Sequence, residues 1–387
     1  MERAINVLCV SDYFLPGYLG GGPIRTLDNM RKQIAGKINL SIFTRDRDLG
    51  SETQYAGIET NRWIETQDGP IYYASPDAFG LRGLRQALAA GDFDMVYLNS
   101  FFSPQSSILL YLNLRKYISG RPILLAPRGE FSPGALAVKK YKKFVFLTLV
   151  RLVGLYRDVF WHASTPIEAQ DILRQFPNAV DRIHVAPDPV LALPPHGKSI
   201  VKAKEAGCIR IAFISRISPM KNLDGLIRIL ETVQVPVVLD IFGPIEDEAY
   251  WRLCEKAIAT LPDNIQVSSY GPITPEAVSS TFARYDLFAF PTHGENFGHV
   301  IFEALRAGTP VLISDQTPWR TDEFGAATAI PLQDIFGWHH AILKAANRTS
   351  DEQEKISTAA INYANRYVAE EGSLQANLGM FRGILQT

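Results

Sequence analysis

Short runs of apolar residues alternate along the chain with longer stretches of helical periodicity. Strands of this continuous apolar character are typical of parallel sheets, because helices cover both faces of such a sheet. The alternation of strand and helix favours the same architecture. The predicted strands are Ile5–Val10, Leu40–Thr44, Met95–Leu98, Ile123–Ala126, Val159–His162, Ile209–Ile214, Val237–Ile241, Leu287–Phe290 and Val311–Ser314.

The alternation breaks in the proline-rich segment Pro187 to His196. A chain of 387 residues also exceeds the length at which one hydrophobic core keeps growing. We therefore predict two α/β domains, residues 1–195 and 196–370, each a Rossmann-like doubly wound sheet, facing each other across a cleft. Such sheets bind ligands outside the carboxyl ends of their strands. The last helical stretch, about Asp351 to Gln386, is long enough for residues 371–387 to return to the first domain.

Bulk composition narrows the function. The 39 Lys and Arg residues nearly balance the 40 Asp and Glu residues, so we predict no nucleic-acid partner. The cysteines Cys9, Cys208 and Cys254 are odd in number and far apart, which suits a reducing compartment. The first residues have the pattern of a buried strand and not that of a signal peptide. These features predict a cytoplasmic protein.

The most informative stretch runs from Phe290 to Asp315, FPTHGENFGHVIFEALRAGTPVLISD. It leaves a predicted strand, crosses a loop that contains Gly298 and enters a helical pattern. Glycine lets a backbone approach a ligand closely, and the first N–H groups of a helix have no partner within it. The positive end of the helix dipole adds to this, so the pattern predicts a diphosphate site. Glu295 in the loop and Glu303 in the helix would accept hydrogen bonds from different parts of one ligand.

The string Pro-x3-Glu-x-Phe-Gly, with its Glu-x7-Glu pair and following Ala, resembles the donor site of retaining family-4 glycosyltransferases (glycosyl transferases group 1) of the GT-B fold. The resemblance implies transfer of a sugar from a nucleotide-diphosphate sugar to an acceptor hydroxyl. It assigns Glu295 to the transferred sugar, as a positioning and electrostatic group, and Glu303 to the ribose. Asn296, Phe297 and Gly298 would line the donor site. The alternative is that both glutamates are solvated.

A second segment, Ile214 to Asp224, follows the first strand of the second domain and resembles the family's diphosphate clamp. The resemblance assigns that clamp to Arg216 and Lys221, and metal ions and cofactors are then not required. Gly243 and Ile273 lie in two loops that complete the nucleotide pocket by analogy. The donor is expected to be UDP- or GDP-linked, with the base undecided. The alternative is that both cations are surface bases.

The first domain carries two further candidates. Gly21 and Gly22 form a bare-backbone loop before a helix, which in similar enzymes closes over the donor phosphates; a flexible turn is the alternative. Many relatives also have a histidine beside the reacting sugar, where this chain has Arg128, followed by Glu130. Either residue could contact the sugar or acceptor, or the turn could only stabilise the fold. His162 is expected to be a structural group.

Several alternatives stay open. A nucleotide-sugar epimerase or a phosphorylase shares the two-domain architecture, and a nucleotide-sugar-binding subunit without turnover would share the site. No metal cluster is predicted. The resemblance implies a hexosyltransferase of surface-polysaccharide synthesis, with a glycan or lipid-linked glycan acceptor. The basic, apolar stretch Lys139 to Arg157 could rest on the inner face of the membrane, or it could be a helix packed on the first sheet.

Overall fold

A computed structural model describes residues 4–114, 118, 120–190, 204–370 and 372–386. The chain divides into two compact units. The first comprises Met1–Leu191 with Glu371–Thr387, and the second comprises Ala192–Glu370. The predicted boundary between residues 195 and 196 lies outside the described residues.

The first unit contains an eight-stranded sheet in the order β3-β4-β2-β1-β5-β6-β7-β8. All neighbouring strands run parallel except β3 and β4, which are antiparallel. The strands are β1 (Ile5–Ser11), β2 (Ile38–Arg45), β3 (Trp63–Ile64), β4 (Ile71–Ala74), β5 (Met95–Asn99), β6 (Ile123–Ala126), β7 (Phe160–Ala163) and β8 (Ile183–Val185). The helices are α1 (Gly22–Ile34), α2 (Leu81–Ala89), α3 (Leu109–Leu114), α4 (Pro133–Ala137), α5 (Lys140–Leu152) and α6 (Pro166–Gln175).

The second unit contains a six-stranded parallel sheet in the order β11-β10-β9-β12-β13-β14. The strands are β9 (Ile209–Ile214), β10 (Val237–Phe242), β11 (Ile265–Ser269), β12 (Leu287–Phe290), β13 (Val311–Ser314) and β14 (Ala327–Ile330). The helices are α7 (Leu223–Leu230), α8 (Glu248–Ile258), α9 (Pro275–Phe282), α10 (His299–Arg306), α11 (Ile335–Ala346) and α12 (Ser350–Glu370).

The nine strands predicted from apolar runs all form, within about two residues of the predicted bounds. The five strands that the pattern missed lie at or next to the edges of the sheets: β3, β4, β8, β11 and β14. An edge strand is covered less completely, so its sequence need not be continuously apolar. Strand β11, for example, buries Ile265 and exposes Gln266.

The last helical stretch consists of two helices. Helix α12 ends at Glu370, and α13 (Ser373–Gln386) begins after Gly372, whose φ of 57° is in the left-handed region that ends helices. Helix α13 packs on the first unit. Phe381 is fully buried there, with its ring 5.8 Å from that of Tyr97, and Asn377 Nδ2 donates to the Pro187 carbonyl at 3.0 Å.

Removing the Phe381 ring is expected to destabilise the first unit. Phe381→Ala leaves a cavity in the core that α13 completes, so the free energy of unfolding should fall by about 3–5 kcal/mol. Gln375→Ala, at an exposed position of the same helix, is the control and should change it by less than about 0.5 kcal/mol. Urea unfolding followed by circular dichroism measures both. Equal effects of the two substitutions would contradict the packing of α13.

Candidate functional site

The strand order of the second sheet reverses between β9 and β12. From β9 the chain proceeds outward through β10 and β11, and it then returns to the other side of β9 to add β12, β13 and β14. In an open parallel sheet, ligands bind at such a switch point, outside the carboxyl ends of the strands. The two loops there are residues 215–222 after β9 and residues 291–298 after β12.

Lys221 and Glu295 form an ion pair between these two loops. Lys221 Nζ donates to Glu295 Oε1, and only 12% of the lysine and 13% of the glutamate side chain is exposed. Asn222 Nδ2 also joins the loops, because it donates to the Pro291 carbonyl at 2.8 Å. Two residues that the sequence assigned to separate roles are therefore direct neighbours at the switch point.

Arg216 lies in the same loop as Lys221, but it pairs with a residue that the sequence did not single out. Its guanidinium donates to Glu246 at 2.8 Å, and about a third of each side chain is exposed. Glu246 follows β10 in a loop that begins at Gly243, where φ is 137°. A side chain at Gly243 would overlap the Ser215 carbonyl, so glycine is required for the close approach of the two loops.

Helix α10 begins directly after Gly298, whose φ of 79° is in the left-handed region. The first backbone N–H groups of a helix have no acceptor within it and carry the positive end of its dipole. Glu295 precedes the first helical residue, His299, by four residues, and Glu303 is half-buried on the second turn of the helix. The carboxylate pair predicted from the sequence thus flanks the beginning of one helix.

Asn296 and Phe297 differ in what they offer to a ligand. Asn296 Nδ2 is buried and finds no hydrogen-bond acceptor among the described residues. The Phe297 ring packs into the interior, with its centroid 5.5 Å from Trp319 and 5.6 Å from Tyr367. Trp319 Nε1 also donates to the Phe297 carbonyl at 2.7 Å. Phe297 therefore anchors the loop, whereas Asn296 keeps an unused donor.

The loop predicted to hold the nucleotide base lies between β11 and α9. It turns at Gly271, whose carbonyl accepts the Gly243 N–H at 2.8 Å. Ile273 is half-buried in this loop. Tyr270 was not among the residues predicted to bind the donor. Its side chain is 60% exposed and stacks on Phe242, with the ring centroids 5.0 Å apart. An exposed aromatic face therefore borders this loop.

The glycine loop of the first unit follows β1. Gly21 has a φ of 75° and precedes α1, which begins at Gly22. Asp48 holds the loop, because its Oδ2 accepts the backbone N–H groups of Tyr18 and Leu19 at 2.8 and 3.1 Å. No sequence signal indicates this contact, since 29 residues or more separate the partners.

Arg128 is the centre of a buried hydrogen-bond network in the first unit. Its guanidinium donates to Asp188 and to the Tyr97 hydroxyl, both at 2.6 Å, and to the Asn99 side-chain carbonyl at 2.9 Å. The second Asp188 oxygen accepts the Thr26 hydroxyl at 3.1 Å. Only 7% of the Arg128 side chain is exposed. The geometry favours the fold-stabilising alternative for this residue.

Glu130 is also bound inside the fold. Its carboxylate accepts hydrogen bonds from the backbone N–H groups of Phe101 and Phe102 and from the Ser100 hydroxyl, the last at 2.8 Å. Burial raises the pKa of Glu130, although these hydrogen bonds act in the opposite direction. Both candidates of the Arg-Gly-Glu turn therefore have their partners within the first unit.

His162 is fully buried beside this network. Its Nε2 lies 2.8 Å from the Ala186 carbonyl and its Nδ1 lies 2.5 Å from the Tyr97 hydroxyl. Because a carbonyl only accepts, Nε2 carries the proton and Nδ1 accepts the tyrosine hydroxyl. Burial lowers the pKa of His162 to about 4. Glu168 accepts the Ser164 N–H at 2.8 Å, and its own N–H donates to the hydroxyl of Thr165, the N-cap of α6, at 3.1 Å. These are the contacts of structural groups.

In the part of the chain that the structure describes, no three His, Cys, Asp or Glu side chains are grouped to hold a metal ion. Among the described helices, none is long and apolar enough to cross a bilayer.

Residues 200–329 match the family model of glycosyl transferases group 1. This match covers about a third of the chain and includes both loops of the switch point. The D-inositol 3-phosphate glycosyltransferase of Xylanimonas cellulosilytica is 30% identical over 187 residues, which are 45% of this chain and 43% of that protein. The O-antigen chain mannosyltransferase B of Escherichia coli is 31% identical over 111 residues, 27% of this chain and 28% of that protein. The chain spans about half or less of the length of the curated relatives it matches.

A solved structure resembles the chain over nearly its whole length. The crystal structure of Anabaena HepE in complex with UDP and glucose superposes with a TM-score of 0.62 at 16% identity, over 95% of this chain and 98% of that one. At this identity the likeness shows the fold alone. The chain has the GT-B fold, as predicted, with a doubly wound, mainly parallel sheet in each unit. Over residues 200–329 the chain is similar to group 1 glycosyl transferases, and its fold agrees with that similarity.

Removing the Arg128 guanidinium is expected to destabilise the first unit. Arg128→Ala leaves the Asp188 carboxylate buried and unpaired, so the free energy of unfolding should fall by about 3–5 kcal/mol. Adding Asp188→Asn should recover part of this loss, because it removes the unpaired charge. Arg382→Ala, at an exposed position, is the control. Urea unfolding measures all three. A variant with normal stability and lost activity would instead assign Arg128 to the substrate.

The neutral state of His162 makes the stability of the first unit depend on pH. The unfolded histidine takes up a proton near pH 6.5, whereas the folded one does so only near pH 4. The unfolded state therefore binds more protons in this window, and the free energy of unfolding should decrease as pH falls, by up to about 1.4 kcal/mol per pH unit. We expect His162→Gln to remove this slope and the exposed His340→Gln to keep it. Urea unfolding at several pH values measures the free energy of unfolding. If this free energy depends on pH in the same way for wild type and His162→Gln, the prediction is wrong.

Proposed function

We propose that this protein is a retaining, hexosyl-transferring glycosyltransferase, which moves a sugar from a nucleotide-diphosphate sugar to an acceptor hydroxyl. The observation that carries the proposal is the Lys221–Glu295 pair at the switch point, beside the start of α10. A cation and helix N–H groups bind the phosphates of a nucleotide sugar, and a carboxylate accepts hydrogen bonds from the hydroxyls of its sugar. The group 1 match over the same residues supports it, as do two relatives named as glycosyltransferases.

The leaving group accounts for the cations. Arg216 and Lys221 would contact the diphosphate and stabilise the negative charge that builds on the departing nucleoside diphosphate. The start of α10 would add backbone donors and the positive end of its dipole. We propose that these groups stand in place of a metal ion and that no cofactor takes part.

Retention is expected if the acceptor hydroxyl attacks the anomeric carbon from the same face that the phosphate leaves. The departing phosphate would take the proton of the incoming hydroxyl on the same face of the sugar, while the bound geometry holds the two together. Glu295 already accepts from Lys221, so its charge stays next to the phosphate site. We propose that it positions the sugar, with the Asn296 amide as a further donor, and does not attack the anomeric carbon. Glu303 would hold the ribose.

The donor base and the acceptor are the finer parts of the proposal. A UDP- or GDP-linked sugar is proposed, and a thermal-shift screen of nucleotide sugars identifies which one stabilises the protein. For the acceptor we propose a glycan or lipid-linked glycan at the cytoplasmic face of a membrane. The name of the Escherichia coli relative, an O-antigen chain mannosyltransferase, supports a surface glycan.

Removal of both proposed phosphate contacts is expected to abolish transfer. The double variant Arg216→Ala, Lys221→Ala should lower kcat/KM for the donor by about 100- to 1,000-fold or more, because two charge contacts with the transition state are lost. The matched control, Arg252→Ala with Lys256→Ala, removes two exposed cations of the second unit and should change it less than two-fold. Radiolabelled-donor turnover measures both, and normal turnover by the first variant would refute the site.

The anomeric configuration of the product tests the mechanism. NMR of the product formed from an α-linked donor is expected to show an α-linkage, and a β-linkage would exclude retention. Incubation of the donor without acceptor separates the alternatives: an epimerised donor would indicate an epimerase. Binding with neither transfer nor hydrolysis would indicate a subunit without turnover.

A further inference from the structure

Helix α5 turns an apolar stripe towards solvent. Its inner face carries Leu147 and Val150, which are buried in the core of the first unit, and Phe146 packs against the same core. The opposite face is exposed and contains large apolar side chains at helical spacing. These residues, with their exposed fractions, are Tyr141 (86%), Phe144 (67%), Val145 (54%), Leu149 (56%) and Leu152 (79%), and Val153 (71%) follows the helix directly.

This arrangement is the reverse of an ordinary surface helix, which presents polar side chains to water. Scattered single apolar residues on a surface are normal, whereas a contiguous exposed stripe marks an interaction site. The core does not explain these residues, because the inner face of α5 already packs on it. We therefore take the exposed residues named above as one surface, the α5 stripe.

The charge around the α5 stripe is of one sign. Residues 131–157 contain six Lys and Arg residues and no Asp or Glu, although the whole chain has a net charge of −1. Lys139, Lys140 and Lys142 are exposed at the beginning of the helix, and Arg151 is exposed near its end. Apolar side chains bordered by cations complement an interface whose surface is anionic and whose interior is apolar.

Lys143 does not belong to this cationic border. Its Nζ donates to the Ala135 carbonyl at 2.7 Å and lies 4.8 Å from the centre of the Phe102 ring. Burial lowers its pKa. The structure thus separates three lysines that are available to a partner from one that stabilises the fold.

We propose that the α5 stripe docks on an anionic lipid bilayer. The helix would lie in the plane of the interface, with its apolar side chains at the boundary of headgroups and acyl chains and its lysines at the lipid phosphates. A helix of 13 residues is too short to span a bilayer, which suits an interfacial position. The surface itself does not depend on the donor chemistry; only its use, to meet a lipid-linked acceptor, rests on the proposed function.

Co-sedimentation with vesicles tests the docking. The wild-type protein is expected to bind vesicles of phosphatidylcholine with phosphatidylglycerol and to bind phosphatidylcholine alone far more weakly. Lys139→Glu with Lys140→Glu and Lys142→Glu should weaken binding to the anionic vesicles by about 100-fold or more, since each lysine near such a surface contributes about five-fold. Leu149→Ser with Leu152→Ser should also weaken it by at least ten-fold, and high salt should not restore that loss.

Matched controls carry the same changes elsewhere. Arg252→Glu with Lys256→Glu and Lys355→Glu reverses three exposed charges of the second unit, and Leu253→Ser with Phe336→Ser removes two exposed apolar side chains there. Both controls should bind the vesicles within about two-fold of wild type. Equal losses in test and control variants would overturn the proposal, because binding would then not depend on the α5 stripe.

Two other results would also overturn it. If the wild-type protein stays in the supernatant with anionic vesicles, the α5 stripe does not bind an anionic bilayer. A dimer in sedimentation velocity that the Leu149→Ser, Leu152→Ser variant converts to monomer would assign the α5 stripe to a second copy of the chain. Donor hydrolysis in detergent-free buffer keeps this test apart from the proposed function: the lysine variant should hydrolyse the donor like wild type even when it no longer binds vesicles.

Discussion

The ion pair between Lys221 and Glu295 is the contact on which the candidate site depends. Each group is largely withdrawn from water, and an unpaired charge in that position would carry a large desolvation penalty. The two residues come from loops that follow different strands, so the pair forms only because β9 and β12 are neighbours in the sheet. The strand order of the second unit therefore determines which charged side chains meet at the carboxyl ends of its strands.

The polar groups at the carboxyl ends of the two sheets are used differently. In the first unit, Arg128 and Glu130 are buried and have their hydrogen-bond partners within the fold. In the second unit, Arg216 remains a third exposed, and Asn296 has a donor without a partner among the described residues. Groups with remaining hydrogen-bonding capacity can respond to a ligand, whereas fully bound groups hold the backbone in place. The second unit is thus where donor recognition is expected.

Much of the fold was predictable, because the central strands of both sheets are continuous apolar runs. The helix start at Gly298 was also predictable, since a glycine before a helical pattern is a local signal. The partners of the charged residues were not. Glu246, Asp48 and Asp188 were not recognised, because each meets its partner only after the loops are folded together. The two sequence segments identified Glu295 and Lys221 but not the ion pair between them. That pair depends on how the two loops are positioned in the folded unit.

Helix α13 gives the first unit an unusual order of assembly. The contact of Asn377 with Pro187 spans 190 positions of the chain, and Phe381 fills the interior next to β5. Contacts of such long range form late, because a large loop must close first. During synthesis, the part of the amino-terminal sheet that α13 covers will stay exposed until the entire second unit has emerged. Its early strands are therefore exposed to aggregation for longer than those of a domain built from one continuous segment.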